Sequence, residues 1–120
     1  MESVKSPAQA RQVINQQLVS AGLDGISKAQ FYRLQSVLVG YLKERRLPAE
    51  RVIYTDRQIR LLYLIARLQM TLRSYRLTRQ MLRAVMNSLP AGTRFYERFP
   101  SFSSIDSFFI EQFADLAGCA

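Results

Sequence analysis

Apolar side chains recur every three to four residues along most of the chain, and the recurrences resolve into five helical stretches. The first, Pro7 to about Ala21, places Ala10, Val13, Ile14, Leu18 and Ala21 on one face. The second, Lys28 to about Arg46, does the same with Phe31, Leu34, Leu38, Tyr41 and Leu42. The third, Asp56 to about Leu72, is apolar nearly all round through Ile59, Leu61, Leu62, Tyr63, Leu64, Ile65 and Leu68. Such a helix belongs at the centre of a core. A fourth, Leu77 to Met86, turns Leu77, Met81, Leu82 and Val85 inward and Arg76, Arg79 and Arg83 outward. The last, roughly Ser104 to Ala117, is amphipathic through Ile105, Phe108, Phe109, Phe113 and Leu116.

Three of the starts share one local grammar. Ser6-Pro7-Ala8-Gln9, Ser27-Lys28-Ala29-Gln30 and Thr55-Asp56-Arg57-Gln58 each fit the capping box, in which the hydroxyl and the Gln satisfy each other's amides. Pro7 stands at the first helical position, where its missing N–H costs nothing. Ile26 with Phe31, and Tyr54 with Ile59, have the spacing of hydrophobic staples. Gly22 is placed to end the first helix, and Pro48 to stop the second. After Pro48 and before the third helix, Arg51-Val52-Ile53-Tyr54 is β-branched and aromatic, and reads as a small strand or the edge of a wing. Leu89-Pro90-Ala91-Gly92 marks a boundary, dividing residues 1–88 from a linker and terminal helix over 89–120.

Charge adds the next constraint. The chain of 120 residues carries 17 Lys and Arg against 9 Asp and Glu, a net charge of +8. The last 17 residues hold three of the acids and no cation, so the first 103 residues set 17 cations against six acids. Fourteen of the cations are Arg, whose planar fork suits phosphate and guanine. This balance favours a polyanionic partner over a merely solvated face.

The residues absent from the chain narrow the chemistry. Histidine is missing, removing the commonest general base and metal ligand, and the lone Cys119 leaves no usual zinc set. The five glycines form no phosphate loop, and the acids do not pair for acid–base work. The reading is therefore a binding protein rather than an enzyme, with no cofactor, metal or small-molecule effector expected. The longest apolar run, Leu61 to Ala66, is too short to span a membrane, and the first residues lack the apolar stretch of a secretory leader. With a single cysteine, these point to a reducing, cytoplasmic setting.

Helix, short glycine-bearing turn, helix is the pattern of a helix-turn-helix, whose second helix enters the major groove. The exposed start of the second helix supplies Lys28, Gln30, Tyr32 and Arg33 for base edges, and the amides near Ser27 for a phosphate. Ile26-Ser27-Lys28-Ala29-Gln30-Phe31-Tyr32-Arg33 resembles the recognition-helix start of MerR-type regulators and excisionase-like proteins. Tyr41-Leu42-Lys43-Glu44-Arg45-Arg46-Leu47-Pro48 and Tyr54-Thr55-Asp56-Arg57-Gln58-Ile59 are similar to later stretches of that family. The resemblance covers about residues 7–87, with some two helical turns more between Ser27 and Tyr41 than is usual there. The chain also lacks the long dimerisation helix, as do short MerR-like repressors of the kind that accompany type V-K CRISPR-associated transposons.

The resemblance implies a mainly α, winged helix-turn-helix fold with a minimal β wing and a C-terminal amphipathic helix. It also implies a repressor that binds a pseudo-palindromic operator in double-stranded DNA as a homodimer. Arg45, Arg46, Arg51, Arg57 and Arg60 are then candidate phosphate contacts around the wing and third helix. The terminal-helix residues Ile105, Phe108, Phe109, Phe113 and Leu116 are expected to make the dimer, the alternative being that this helix completes the monomer's own core. Two rival functions stay open: a helical adaptor for a protein partner, and an RNA-binding protein with aromatics exposed for stacking.

Overall fold

The computed structural model describes residues 4–45 and 54–118, with side chains through residue 113. It is mainly helical. The order is β1 (Val4–Lys5), α1 (Pro7–Ser20), α2 (Lys28–Glu44), β2 (Tyr54–Thr55), α3 (Asp56–Leu72), α4 (Tyr75–Asn87), α5 (Phe95–Arg98) and α6 (Phe102–Gly118).

The three expected capping boxes are all formed. Ser6, Ser27 and Thr55 accept from the amides of Gln9, Gln30 and Gln58, and each Gln side chain accepts from its cap's own N–H. These bonds satisfy amides that a helix start otherwise leaves open, about 1 kcal/mol at each cap. Ala21 closes α1, and Gly22 then takes φ +79°, a left-handed turn that glycine adopts without strain.

The α1–α2 turn is held by a side chain that does the work of a strand. Asn15 Oδ1 accepts from the Ile26 amide at 2.7 Å, and its Nδ2 donates to the Ile26 carbonyl at 3.1 Å. Arg11 donates to the same carbonyl at 3.4 Å. A Cβ on Gly25 would stand 3.1 Å from Asn15 Cγ, so glycine there leaves room for this clasp.

At the centre, α3 touches α1, α2, α4, α6 and β2. Residues 61–66 of α3 are buried without a break, which only a helix covered on every side allows. Around it pack Ala10, Ile14 and Leu18 from α1, and Phe31, Leu34, Val37, Leu38 and Leu42 from α2. The expected stripes hold with local exceptions: Ala21 is exposed, and Leu77 is 41% exposed at the start of α4. In α4, Thr78 and Met86 are buried with Leu82 and Val85. Thr78 could be buried because its hydroxyl lies 2.8 Å from the Ser74 carbonyl and 3.0 Å from Gln69 Oε1.

Three elements depart from the expectation. The strand is Tyr54–Thr55, and its antiparallel partner is Val4–Lys5, in the register Val4↔Thr55 and Lys5↔Tyr54. Arg51, Val52 and Ile53 lie outside the described residues, and with them most of the expected wing. Helix α4 begins two residues early because Ser74 caps it, after Arg73 has ended α3 in the left-handed region at φ 59°. The stretch after Gly92 holds a short helix, α5, that no periodicity announces.

Residues beyond 88 do not stand apart from the body. Phe99, Ile105 and Phe109 are buried in the same hydrophobic cluster as α1–α4. Polar contacts fasten α6 to α3: Tyr63 donates to Asp106 at 2.5 Å, and Arg67 pairs with the same carboxylate. The Arg67 guanidinium also lies 4.8 Å from the centre of the Phe109 ring. Ile105 and Phe109, expected at a dimer contact, are thus spent on the chain's own core, because α3 offers them an apolar face and Asp106 a cation. Phe108 and Phe113 are half-buried, and the Leu116 side chain lies outside those described.

Candidate nucleic-acid interface

The strand pair ties the residues before α1 to those before α3. β1 runs directly into the Ser6 cap of α1, and β2 into the Thr55 cap of α3; because the strands are antiparallel, the two helices leave from opposite ends of the pair. Lys5 Nζ stands 3.5 Å from Asp56 Oδ1 across this junction. The starts of α1 and α2 share an open groove of about 360 Å³, lined by Ser6, Pro7, Arg11, Lys28, Phe31 and Tyr32. At this groove the starts of α1 and α2 add their partial positive charge to that of the side chains.

From this groove the outer face of α2 runs out to solvent. Lys28, Tyr32, Arg33, Ser36 and Lys43 are all exposed, with the buried stripe of Phe31, Leu34, Leu38 and Leu42 behind them. Tyr32 leans edge-on against Phe31, ring centres 5.7 Å apart, which steadies a phenol that is 44% exposed. Among the described residues Lys28 and Arg33 have no hydrogen-bond or ion-pair partner. Gln30 is exposed too, but its Oε1 already accepts from the Ser27 amide at 2.8 Å, leaving chiefly its NH2 group to donate outward. Ser27, in turn, has its hydroxyl committed to the Gln30 amide.

Among the described residues the expected phosphate contacts fall at two places, Arg45 at the end of α2 and Arg57 with Arg60 at the start of α3. Arg45 ends α2, donating to Asn87 Oδ1 at 2.8 Å and lying 5.4 Å from the Tyr41 ring. Next to it Arg83 grips Glu44 with two bonds, Nε to Oε2 at 3.0 Å and Nη2 to Oε1. That hydrogen bond is the main reason the Glu44 carboxyl is held below its ordinary pKa. This corner therefore staples α2 to α4. Arg60 is half-buried and donates to the Phe99 carbonyl at 3.2 Å, closing the end of α5. Arg57 lies 3.8 Å from the centre of the Tyr96 ring. Arg46 and Arg51 lie outside the described residues.

Two arginines that periodicity could not place complete the basic surface. Arg94 donates to the Tyr96 hydroxyl at 2.8 Å, so Tyr96 carries Arg57 on its face and Arg94 at its edge. Arg98 lies 4.7 Å from the Phe99 ring and 5.8 Å from that of Phe108. The alternation Arg94-Phe95-Tyr96-Glu97-Arg98 was the available signal, in a stretch whose prolines and glycine point to loop. Among the described residues no group of three His, Cys, Asp or Glu side chains stands together as a metal site, and no helix is long and apolar enough to cross a membrane.

Comparison with protein-family models, with curated proteins and with solved structures returned no match for this chain.

Proposed function

We propose that the chain is a sequence-specific, double-stranded-DNA-binding transcription regulator of the winged helix-turn-helix type, with α1, its turn and α2 as the reading unit. The observation that carries this is the first two turns of α2. There Lys28 and Arg33 stand exposed beside Tyr32, their side chains without a partner among the described residues, on a helix whose opposite face is locked into the core. Arg33 fits guanine O6 and N7, and Lys28 a guanine or a phosphate. The clasp of Asn15 on Ile26 holds α2 at one angle to α1, as base readout requires.

The test is binding to duplex DNA selected from a random pool, with single-stranded RNA as competitor. Arg33→Ala should weaken the selected duplex by about 1–3 kcal/mol and relax one base position. A parent that prefers RNA, or binds neither, overturns the reading. So does an Arg33→Ala protein with unchanged affinity and selectivity on every selected duplex.

A further inference from the structure

We propose that α5 extends the DNA surface: Arg94 and Arg98, ordered by aromatic rings beside the start of α3, hold backbone phosphates flanking the segment that α2 reads. The proposal rests on the reading of α2 as a DNA-binding helix and adds a surface outside it. A chain of contacts joins the two. Lys28 and Tyr32 share a groove with Ser6 and Arg11, and Lys5, next to Ser6, pairs with Asp56. Arg57 follows Asp56 and lies on the Tyr96 ring, whose hydroxyl takes Arg94. These contacts place α5 beside the start of α3, and tie that start through β1 to the groove that α1 shares with α2.

The chemistry at the α5 end of these contacts suits phosphate. A guanidinium has five N–H donors, and the Tyr96 bond takes one of those on Arg94. Among the described residues neither Arg94 nor Arg98 pairs with a carboxylate, and the one acid of α5, Glu97, forms no ion pair. The Tyr96 hydroxyl engages Arg94, and the Phe99 and Phe108 rings lie against Arg98, so less side-chain freedom is lost when a phosphate is gripped. An arginine serving only to fasten α5 would be expected to turn its donors to backbone carbonyls, as Arg60 does with Phe99.

The experiment measures the salt dependence of binding to the duplex selected by the parent, for the parent, the double variant Arg94→Ala/Arg98→Ala and the double variant Arg94→Lys/Arg98→Lys. Loss of two phosphate contacts flattens the log–log salt slope by about two units. Between 50 and 200 mM salt the parent should then lose about tenfold more affinity than the Ala variant. The Lys variant keeps the charge and should keep the slope. Ethylation interference on the parent should also mark phosphates outside the segment contacted by α2, a readout independent of whether the variants fold. An Ala variant with the parent's slope, a Lys variant as flat as the Ala variant, or the absence of flanking interfering phosphates overturns the α5 surface and leaves the α2 reading intact. A parent that binds no duplex overturns both.

Discussion

The smallest decisive unit is one side chain, Asn15. Its carboxamide meets both backbone groups of Ile26, at 2.7 and 3.1 Å, and so fixes where α2 begins relative to α1. Removing it leaves a part-buried amide and carbonyl with poorer partners, at a cost of about 2 kcal/mol. Asn15→Ala should lower the urea midpoint accordingly, and DNA affinity should fall further than the loss of folded protein accounts for. Tyr63 offers a second test at this scale. Burial, and then its bond to the Asp106 carboxylate, push its pKa from 10.0 up to about 12. The unfolded chain releases this proton near pH 10 and the folded one near 12, so stability is full below 10 and falls as pH rises through that window. Urea midpoints measured from pH 9 to 12 should decline, and Tyr63→Phe should make the decline shallower. Tyr41 and Tyr54, also raised mainly by burial, keep the variant from becoming flat.

At the scale of elements, α2 contains a residue that its own fold does not ask for. Gly40 sits inside the helix, where glycine costs about 1 kcal/mol relative to alanine, and a Cβ there meets nothing within 4 Å. Gly40→Ala should therefore raise stability by about 0.5–1 kcal/mol in urea denaturation. A lower midpoint would mean that a contact beyond the described residues fills the space. The capping boxes show how much of an element is written locally. A hydroxyl and a Gln three residues on were enough to place the starts of α1, α2 and α3 to the residue. The start of α4 was harder to read because Ser74 lacks the reciprocal Gln, and because Arg73 takes a left-handed conformation usually marked by glycine.

For the whole molecule the question is what α6 covers. Phe109 is 4% exposed, packed beside Arg67, Phe108 and Phe113. Truncating a buried Phe costs about 3–5 kcal/mol, and a carboxylate in its place costs more. That is a large part of a domain's total stability, so Phe109→Asp should unfold the chain rather than release a folded monomer. Circular dichroism and a thermal melt check this directly. Ile110, 69% exposed on the same helix, is the informative position for self-association. Ile110→Asp should leave the melt within about 0.5 kcal/mol of the parent, as surface changes do. A homodimer that uses the outer face of α6 should fall to monomer mass in light scattering. An unchanged mass removes that face from the contact.

What the sequence determined alone is what depends on neighbours within a turn or two: helix starts, the all-round apolar α3, and the polar outer face of α2 with Lys28, Tyr32 and Arg33. Periodicity and capping are local physics, so a linear chain displays them. The tertiary structure decided whatever joins distant residues. β2 pairs with Val4–Lys5, some 50 residues away, where two residues per strand carry no period to read. Arg45 and Arg60 were legible as cations but not as partners of Asn87 and the Phe99 carbonyl, since an arginine's role depends on what its fork meets. The apolar face of α6 was equally legible, yet an amphipathic helix states only that it must be covered. That its cover is α3 of the same chain follows from Asp106 meeting Tyr63 and Arg67 across a fold the sequence does not display.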